Sequence, residues 1–209
     1  MATSQVTQTV VIAPPRMQTA VFHIIGTAPY VGARFSAKAM TMMEDKMKAG
    51  SQGRKGVKRE ARDFDSDYHQ AMHVSVEGWV GMPASSFRAA MISACRLVGF
   101  KMTLAKLSVF VEADGYDVID GVPLIKIVGA SEPMRMAVRN ATGVADIRVR
   151  PMWREWSADV RIRFDEDQFS VTDVTNLLAR VGLQVGIGEG RPDSRESTGM
   201  GWGTFSITE

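Results

Sequence analysis

The sequence predicts an α+β domain whose elements run strand, helix, strand, strand, helix, strand, and three observations carry that prediction. Glu155 to Phe164 alternates without a break, with Trp156, Ala158, Val160, Ile162 and Phe164 on one side and Glu155, Asp159, Arg161 and Arg163 on the other, as a half-buried strand requires. Ser170 to Asp173 has capping-box spacing, with Asp in place of the usual Glu, and opens an apolar stripe of Val174, Leu177, Leu178 and Val181 that Gly182 stops. Phe87, Ala90, Met91, Ala94, Cys95 and Val98 keep the same 3.6-residue period earlier in the chain.

Taken in order, residues 1–16 are a polar arm with a stiff exit at Ala13-Pro14-Pro15. Met17 to Gly26 is dense in β-branched and aromatic residues and reads as the first strand. Residues 31–73 read as an insertion, a basic and partly helical thumb, because many like charges and few large apolar anchors gain too little burial to offset ordering. Its Met40, Met42, Met43 and Met47 form a packing face or an adaptable partner surface. His73 to Val80 reads as one short strand. After Met82-Pro83, Ser85 or Ser86 is expected to cap the first helix, which Gly99 ends. Leu104 to Ala113 resumes period two and Pro123 to Val128 adds a strand, with a loop-rich stretch through Val144. Val185-Gly186-Ile187-Gly188 reads as the last apolar strand before a glycine-rich loop. Two β-α-β halves with helices on one side of an antiparallel sheet make a ferredoxin-like (RRM-like) fold, here with extra β-hairpins and the thumb, in a single domain over residues 17–209.

Hydrophobic residues make up 45% and charged residues 23% of the 209, the balance of an ordinary globular protein. Cys95 has no partner for an intramolecular disulfide and falls on a buried helix face, no apolar run reaches membrane-span length, and the amino terminus lacks a signal pattern, so a reducing cytoplasm and no membrane association are expected. Zinc-spaced Cys/His clusters, G-x-S-x-G and P-loop motifs are missing, and no cofactor is expected. Asp63-x-Asp65-x-Asp67 begins like a calcium loop, but Tyr68 stands where glycine and Val74 where glutamate are needed, so no metal site is assigned.

The net charge of +2 is unevenly spread. Lys46, Lys48, Arg54, Lys55, Lys58, Arg59 and Arg62 face a single acid, Glu60, within 46–62, which offers salt-sensitive attraction to a polyanion. Gly186, Gly188, Gly190, Gly199, Gly201 and Gly203 let the backbone take positive φ and clear side chains from the approach of a ligand, while Arg191 and Arg195 bring charge to the space left open. The segment reads as a phosphate-backbone contact within a strand pair, or alternatively as a hairpin whose glycines serve only turns. The helix start at Ser85-Ser86 with Arg88 offers amide donors and a positive dipole end to a phosphate. Tyr30, Phe35, Phe64, Tyr68 and Trp202 are aromatics able to stack on bases, and Arg148, Arg150 and Arg154 form either another phosphate contact or a solvated edge.

Gly81-Met82-Pro83-Ala84-Ser85-Ser86-Phe87-Arg88-Ala89-Ala90 resembles the start of the first helix in the RAMP superfamily, the subunits that form the crRNA-binding backbone of CRISPR effector complexes. Gly186 to Phe205 is similar to that superfamily's glycine-rich loop. The resemblance covers roughly residues 17–26, 79–112 and 155–207, and the chain is also similar to proteins encoded by phages and prophages. It implies a non-catalytic core that holds single-stranded RNA or DNA, RNA before DNA, in a homo-oligomer or multi-subunit complex, often head-to-tail. Some members of the superfamily are metal-independent ribonucleases that use histidine. His69 and His73 are the candidates here for that alternative, and His23 reads as a structural histidine within a strand. A third reading is an assembly protein with no nucleic-acid ligand.

Overall fold

The computed structural model describes residues 12–34, 41, 63–139, 145–194 and 199–208. The basic residues Arg54, Lys55, Lys58, Arg59 and Arg62, together with Phe35 and Arg195, lie outside the described residues.

Strand β1 (Met17–Gly26) matches its predicted bounds and is followed by the short β2 (Tyr30–Val31). Helix α1 (Phe64–Gln70) begins at Asp63, whose carboxylate accepts from the N–H groups of Asp65 and Ser66. The Asp-x-Asp-x-Asp run is thus a helix cap. The single strand expected over 73–80 is a hairpin, β3 (His73–Val74) and β4 (Val80–Pro83), turned at Gly78 with φ of +86°. Helix α2 (Ala84–Ala94) continues as a 3₁₀ turn, Cys95–Val98, and Gly99 at φ of +68° closes it.

The strand expected over 104–113 divides into helix α3 (Met102–Ser108) and strand β5 (Val109–Glu112). Leu107, which shares the period-two pattern with Val109 and Val111, is exposed, whereas Ala105 and Ser108 at helical spacing are buried. Strands β6 (Gly115–Tyr116) and β7 (Pro123–Lys126) follow. In place of the loop expected through Val144 stands β8 (Ser131–Arg139), which pairs with β9 (Ala145–Trp153) just beyond that stretch in a long hairpin registered from Ser131 opposite Trp153 to Arg139 opposite Ala145. Its side chains are mostly exposed or half-buried toward the tip, so no apolar face marked it as a strand pair.

Strand β10 (Ser157–Asp165) carries the predicted alternation, with Ala158, Val160, Ile162 and Phe164 buried. Helix α4 (Val171–Arg180) has its complete capping box, Ser170 accepting from the Asp173 N–H while the Asp173 carboxylate accepts from the Ser170 N–H. We expect Ser170→Ala to cost about 1 kcal/mol, read as a lower urea midpoint at unchanged m-value. Gly182 does not end the helix as expected. The chain winds on as a π-helical turn, Val181–Val185, and a Cβ at Gly182 would overlap the Phe205 carbonyl. Strand β11 (Phe205–Thr208) is last.

The structure is a mixed α+β fold with antiparallel sheets. One has the order β11-β1-β10-β5, a second β2-β9-β8 and a third β3-β4-β7-β6. In the first, α2 lies in the chain between β1 and β5, and α4 between β10 and β11. Phe22 and Ile24 of β1, the inward residues of β10 and Phe205 of β11 join Phe87, Met91, Val174 and Leu178 of the two helices in one buried cluster. Val21, His23 and Asp159 stand on the other face. There His23 Nδ1 bonds the directly opposite Asp159 at 2.7 Å. Cys95 is buried, and that burial pushes its thiol up. Among the described residues, no helix is long and apolar enough to cross a membrane.

Candidate nucleic-acid interface

A cleft of about 1480 Å³ lies between the first turns of α2, the glycine-rich loop and the β8-β9 hairpin. Ser85 and Ser86 line one wall, Gly188, Gly190 and Arg191 the other, with Arg148 and Trp202 also facing the space. Two segments about a hundred residues apart in sequence, each read separately as a phosphate contact, are therefore brought together. Neither serine is the cap that the sequence reading expected. The cap lies at Pro83, two residues before Ser85 and three before Ser86, and it makes no side-chain capping bond. Proline fits that start because of its fixed φ and missing N–H. Ser85 and Ser86 are left inside the first turn, at the positive end of the helix dipole.

The glycine loop is not enclosed by a strand pair. Residues 185–188 belong to the π-helical turn and irregular backbone, and only β11 is a strand. The six glycines do adopt positive φ, between 69° and 77°. Most of the space they clear is used by the chain itself. A Cβ at Gly188 would meet the Tyr30 ring at 2.6 Å, one at Gly190 the Trp202 ring at 2.6 Å, and one at Gly199 the Arg191 carbonyl at 3.0 Å. Gly203 approaches the Ile187 carbonyl too closely for any side chain. At Gly201 nothing lies within 4 Å, so of the six it faces open space. Backbone bonds hold the fold of the loop: Ile187 N–H to Gly203 O at 3.0 Å, Gly203 N–H to Pro29 O at 2.7 Å and Met200 N–H to Gly190 O at 2.7 Å.

The charged groups are arranged more evenly than the sequence implied. Arg191 Nη1 donates to the Gly188 carbonyl at 3.1 Å, which keeps its guanidinium beside the loop. Asp193 accepts from Ser93 of α2 and pairs with Arg96 at 2.9 Å, tying the loop to the helix. The Ser93 hydroxyl, and then the Arg96 charge, hold the Asp193 carboxyl below its usual range against the opposing effect of burial. Arg148 and Glu189 pair at 2.7 Å. Arg148 and Arg191 on the cleft wall are thus offset by Glu189 and Asp193. Arg88 turns away from this wall: its guanidinium donates to the carbonyls of Lys106 and Val109 and lies over the Phe110 ring at 5.3 Å.

Of the proposed stacking aromatics, Trp202 and Tyr30 line the cleft, but Tyr30 is buried against Trp153 and Trp156, with ring centroids 5.5 and 5.8 Å away, and burial pushes its phenol up. Tyr68 bonds Ser131, and Phe64 lies under Arg135. His69 is exposed on α1 beside Asp65 at 3.8 Å. His73 borders the cleft, and its Nδ1 bonds Asp117 at 2.9 Å.

Sequence reasoning missed the group around Asp117. This carboxylate is fully buried and also accepts from the N–H groups of Ile119 at 2.8 Å and Asp120 at 3.3 Å. Arg34, itself buried, places Nη2 at 3.5 Å from Asp117 and Nε at 3.4 Å from Asp120. The donor atoms of His73, Asp117 and Asp120 lie within 4.8 Å of one another, a spacing open to a metal, but the Arg34 guanidinium already supplies the cation. An Asp-x-x-Asp-Gly turn opposite a lone arginine was the available signal. Burial alone would raise the Asp117 carboxyl; the bonds from Ile119, His73 and Asp120, with the Arg34 charge, hold it below its ordinary value. Because the folded state has the lower value, this stabilisation is complete above pH about 4 and is lost as pH falls through the folded value. Asp117→Asn should therefore show a smaller drop in urea midpoint between pH 7 and pH 3 than the parent protein, and equal drops would contradict the assignment.

No protein-family model matches the chain, and no curated protein matches it in sequence.

Proposed function

We propose that the chain is a non-catalytic protein that binds single-stranded nucleic acid, RNA in preference to DNA, by its phosphate backbone. The observation that carries this reading is the convergence of the α2 start, with no side-chain cap, and the glycine loop with Arg191 on one cleft. Helix amides and a positive dipole end suit an oxyanion, guanidinium groups add charge-assisted bonds, and Trp202 offers a stacking surface worth about 1–3 kcal/mol per base. Arg195 and the basic run at 46–62, by their sequence positions, add charge to the same polypeptide. The sheet order β11-β1-β10-β5, with a helix in each β-α-β half, supports a ferredoxin-like core, and this supports kinship with the RAMP superfamily and its phage-encoded relatives. Assembly along the strand, in a cytoplasmic setting, belongs to the same proposal.

Titration of fluorescently labelled single strands at 50 and 200 mM salt tests it. Binding at low salt that weakens steeply at high salt is expected, with RNA ahead of DNA of the same sequence. No binding at low salt would end the proposal, and oligomers that persist unchanged after nuclease treatment would favour an assembly role instead.

A second reading, a metal-independent endoribonuclease, is favoured by one observation: buried Asp117 holds His73 Nδ1 at the cleft, which is the support a general base needs. It requires RNA cleavage that survives a chelator and disappears in His73→Ala; intact RNA after prolonged incubation would exclude it.

A further inference from the structure

Arg148 and Arg150 are alternate residues on β9, and both reach the same side chain of the glycine loop. Arg148 Nη1 donates to Glu189 Oε1 at 2.7 Å, and Arg150 Nε donates to Glu189 Oε2 at 3.0 Å. Each carboxylate oxygen thus holds one guanidinium, as the two non-bridging oxygens of a phosphodiester would. The loop does not depend on these bonds for its position. The Glu189 N–H donates to the Val31 carbonyl at 3.0 Å, and the backbone bonds at Ile187, Met200 and Gly203 fix the remainder. The glutamate side chain is mostly buried, at 18% exposure, and both Glu189 and Arg148 face the cleft.

We propose that Arg148 and Arg150 form a second anion site of this cleft, selective for a phosphodiester or a similar oxyanion, and that Glu189 occupies it as an internal stand-in until the ligand displaces it. The inference rests on the backbone-binding reading above. Exchange of one charge-assisted pair for another keeps the arginines partnered throughout, and it frees the cleft wall from the acid that now offsets Arg148. Glu189 thereby sets a threshold: isolated anions meet a filled site, whereas a strand held at Arg191 and at the α2 start presents its next phosphate at high local concentration.

The test uses the full chain, Glu189→Gln, Glu189→Asp, and Glu189→Gln combined with Arg148→Ala and Arg150→Ala. Probes are a labelled single strand and inorganic tripolyphosphate, with thermal midpoints recorded for every variant. Glu189→Gln is expected to bind the strand about tenfold tighter at low salt, with a salt slope steeper by roughly 0.7 per phosphate gained. It should also acquire tripolyphosphate binding that the triple variant lacks. Glu189→Asp, which keeps the charge on a shorter arm, should fall between parent and Gln variant and serves if the Gln variant fails to fold. Strand affinity equal to or below that of the parent in a folded Gln or Asp variant would overturn the inference. If the parent binds no strand but the Gln variant gains tripolyphosphate binding, the anion site stands and the backbone-binding reading falls. Binding of neither probe by the parent or by a folded Gln or Asp variant overturns both.

Discussion

Replacement of Gly203 by alanine is expected to lower stability by about 2–5 kcal/mol, the sum of a non-glycine residue at positive φ and an overpacked contact. Gly203 has φ of +69°, and its Cβ would overlap the carbonyl of Ile187, the residue whose N–H donates to the Gly203 carbonyl and closes the loop. For a chain of this length the loss corresponds to a fall in Tm of roughly 5–15 °C. Gly201→Ala is the informative comparison, because Gly201 has φ of +74° yet meets nothing within 4 Å. It should show the dihedral cost alone, about 1–2 kcal/mol. Equal midpoints for the two variants in a thermal melt would mean that the close approach at Gly203 is absent.

The second large effect concerns binding. Arg191→Ala together with Arg195→Ala is expected to weaken single-strand affinity about ten- to hundredfold, since a hydrogen bond to a charged group contributes about 1.5–3 kcal/mol and each 1.4 kcal/mol is tenfold. The salt slope should become shallower as phosphate contacts are lost. Arg163→Ala provides the control: Arg163 lies on the half-solvated side of β10, paired with Glu112 at 3.3 Å, and does not line the cleft. Unchanged affinity in the Arg191 and Arg195 variant, with a loss in the Arg163 variant, would move the interface to the sheet.

What could be read from the sequence depended on whether one element's burial marked it by itself. β10 and α4 each bury a full periodic face, and their inward residues and the capped start of α4 agree with the expectation, although Gly182 does not stop the winding. α3 was mistaken for a strand because Leu107, Val109 and Val111 happen to alternate across a boundary where the helix hands over to β5. β8 read as loop, and β9 only as an edge or a phosphate contact, because their pairing is a backbone property and Arg135, Arg148 and Arg150 interrupt any apolar pattern. At the cleft, positive φ at the glycines was legible, since residue type alone permits it. Their role as close-packing positions was not, because Tyr30 and Trp202, which fill the cleared space, come together only in the folded chain. The same reason hid Glu189 between two arginines some forty residues away and Asp117 beneath Arg34.

Photo-cross-linking of the full chain to a single-stranded RNA bearing 4-thiouridine, followed by mass-spectrometric mapping, tests the central claim most directly. Adducts are predicted on Trp202 and on residues beside Ser85 to Ala89 and Gly188 to Arg191, with their yield falling as salt is raised. Adducts confined to the sheet face that carries Val21, His23 and Arg161, or none at all under low-salt conditions, would contradict a strand held in the cleft.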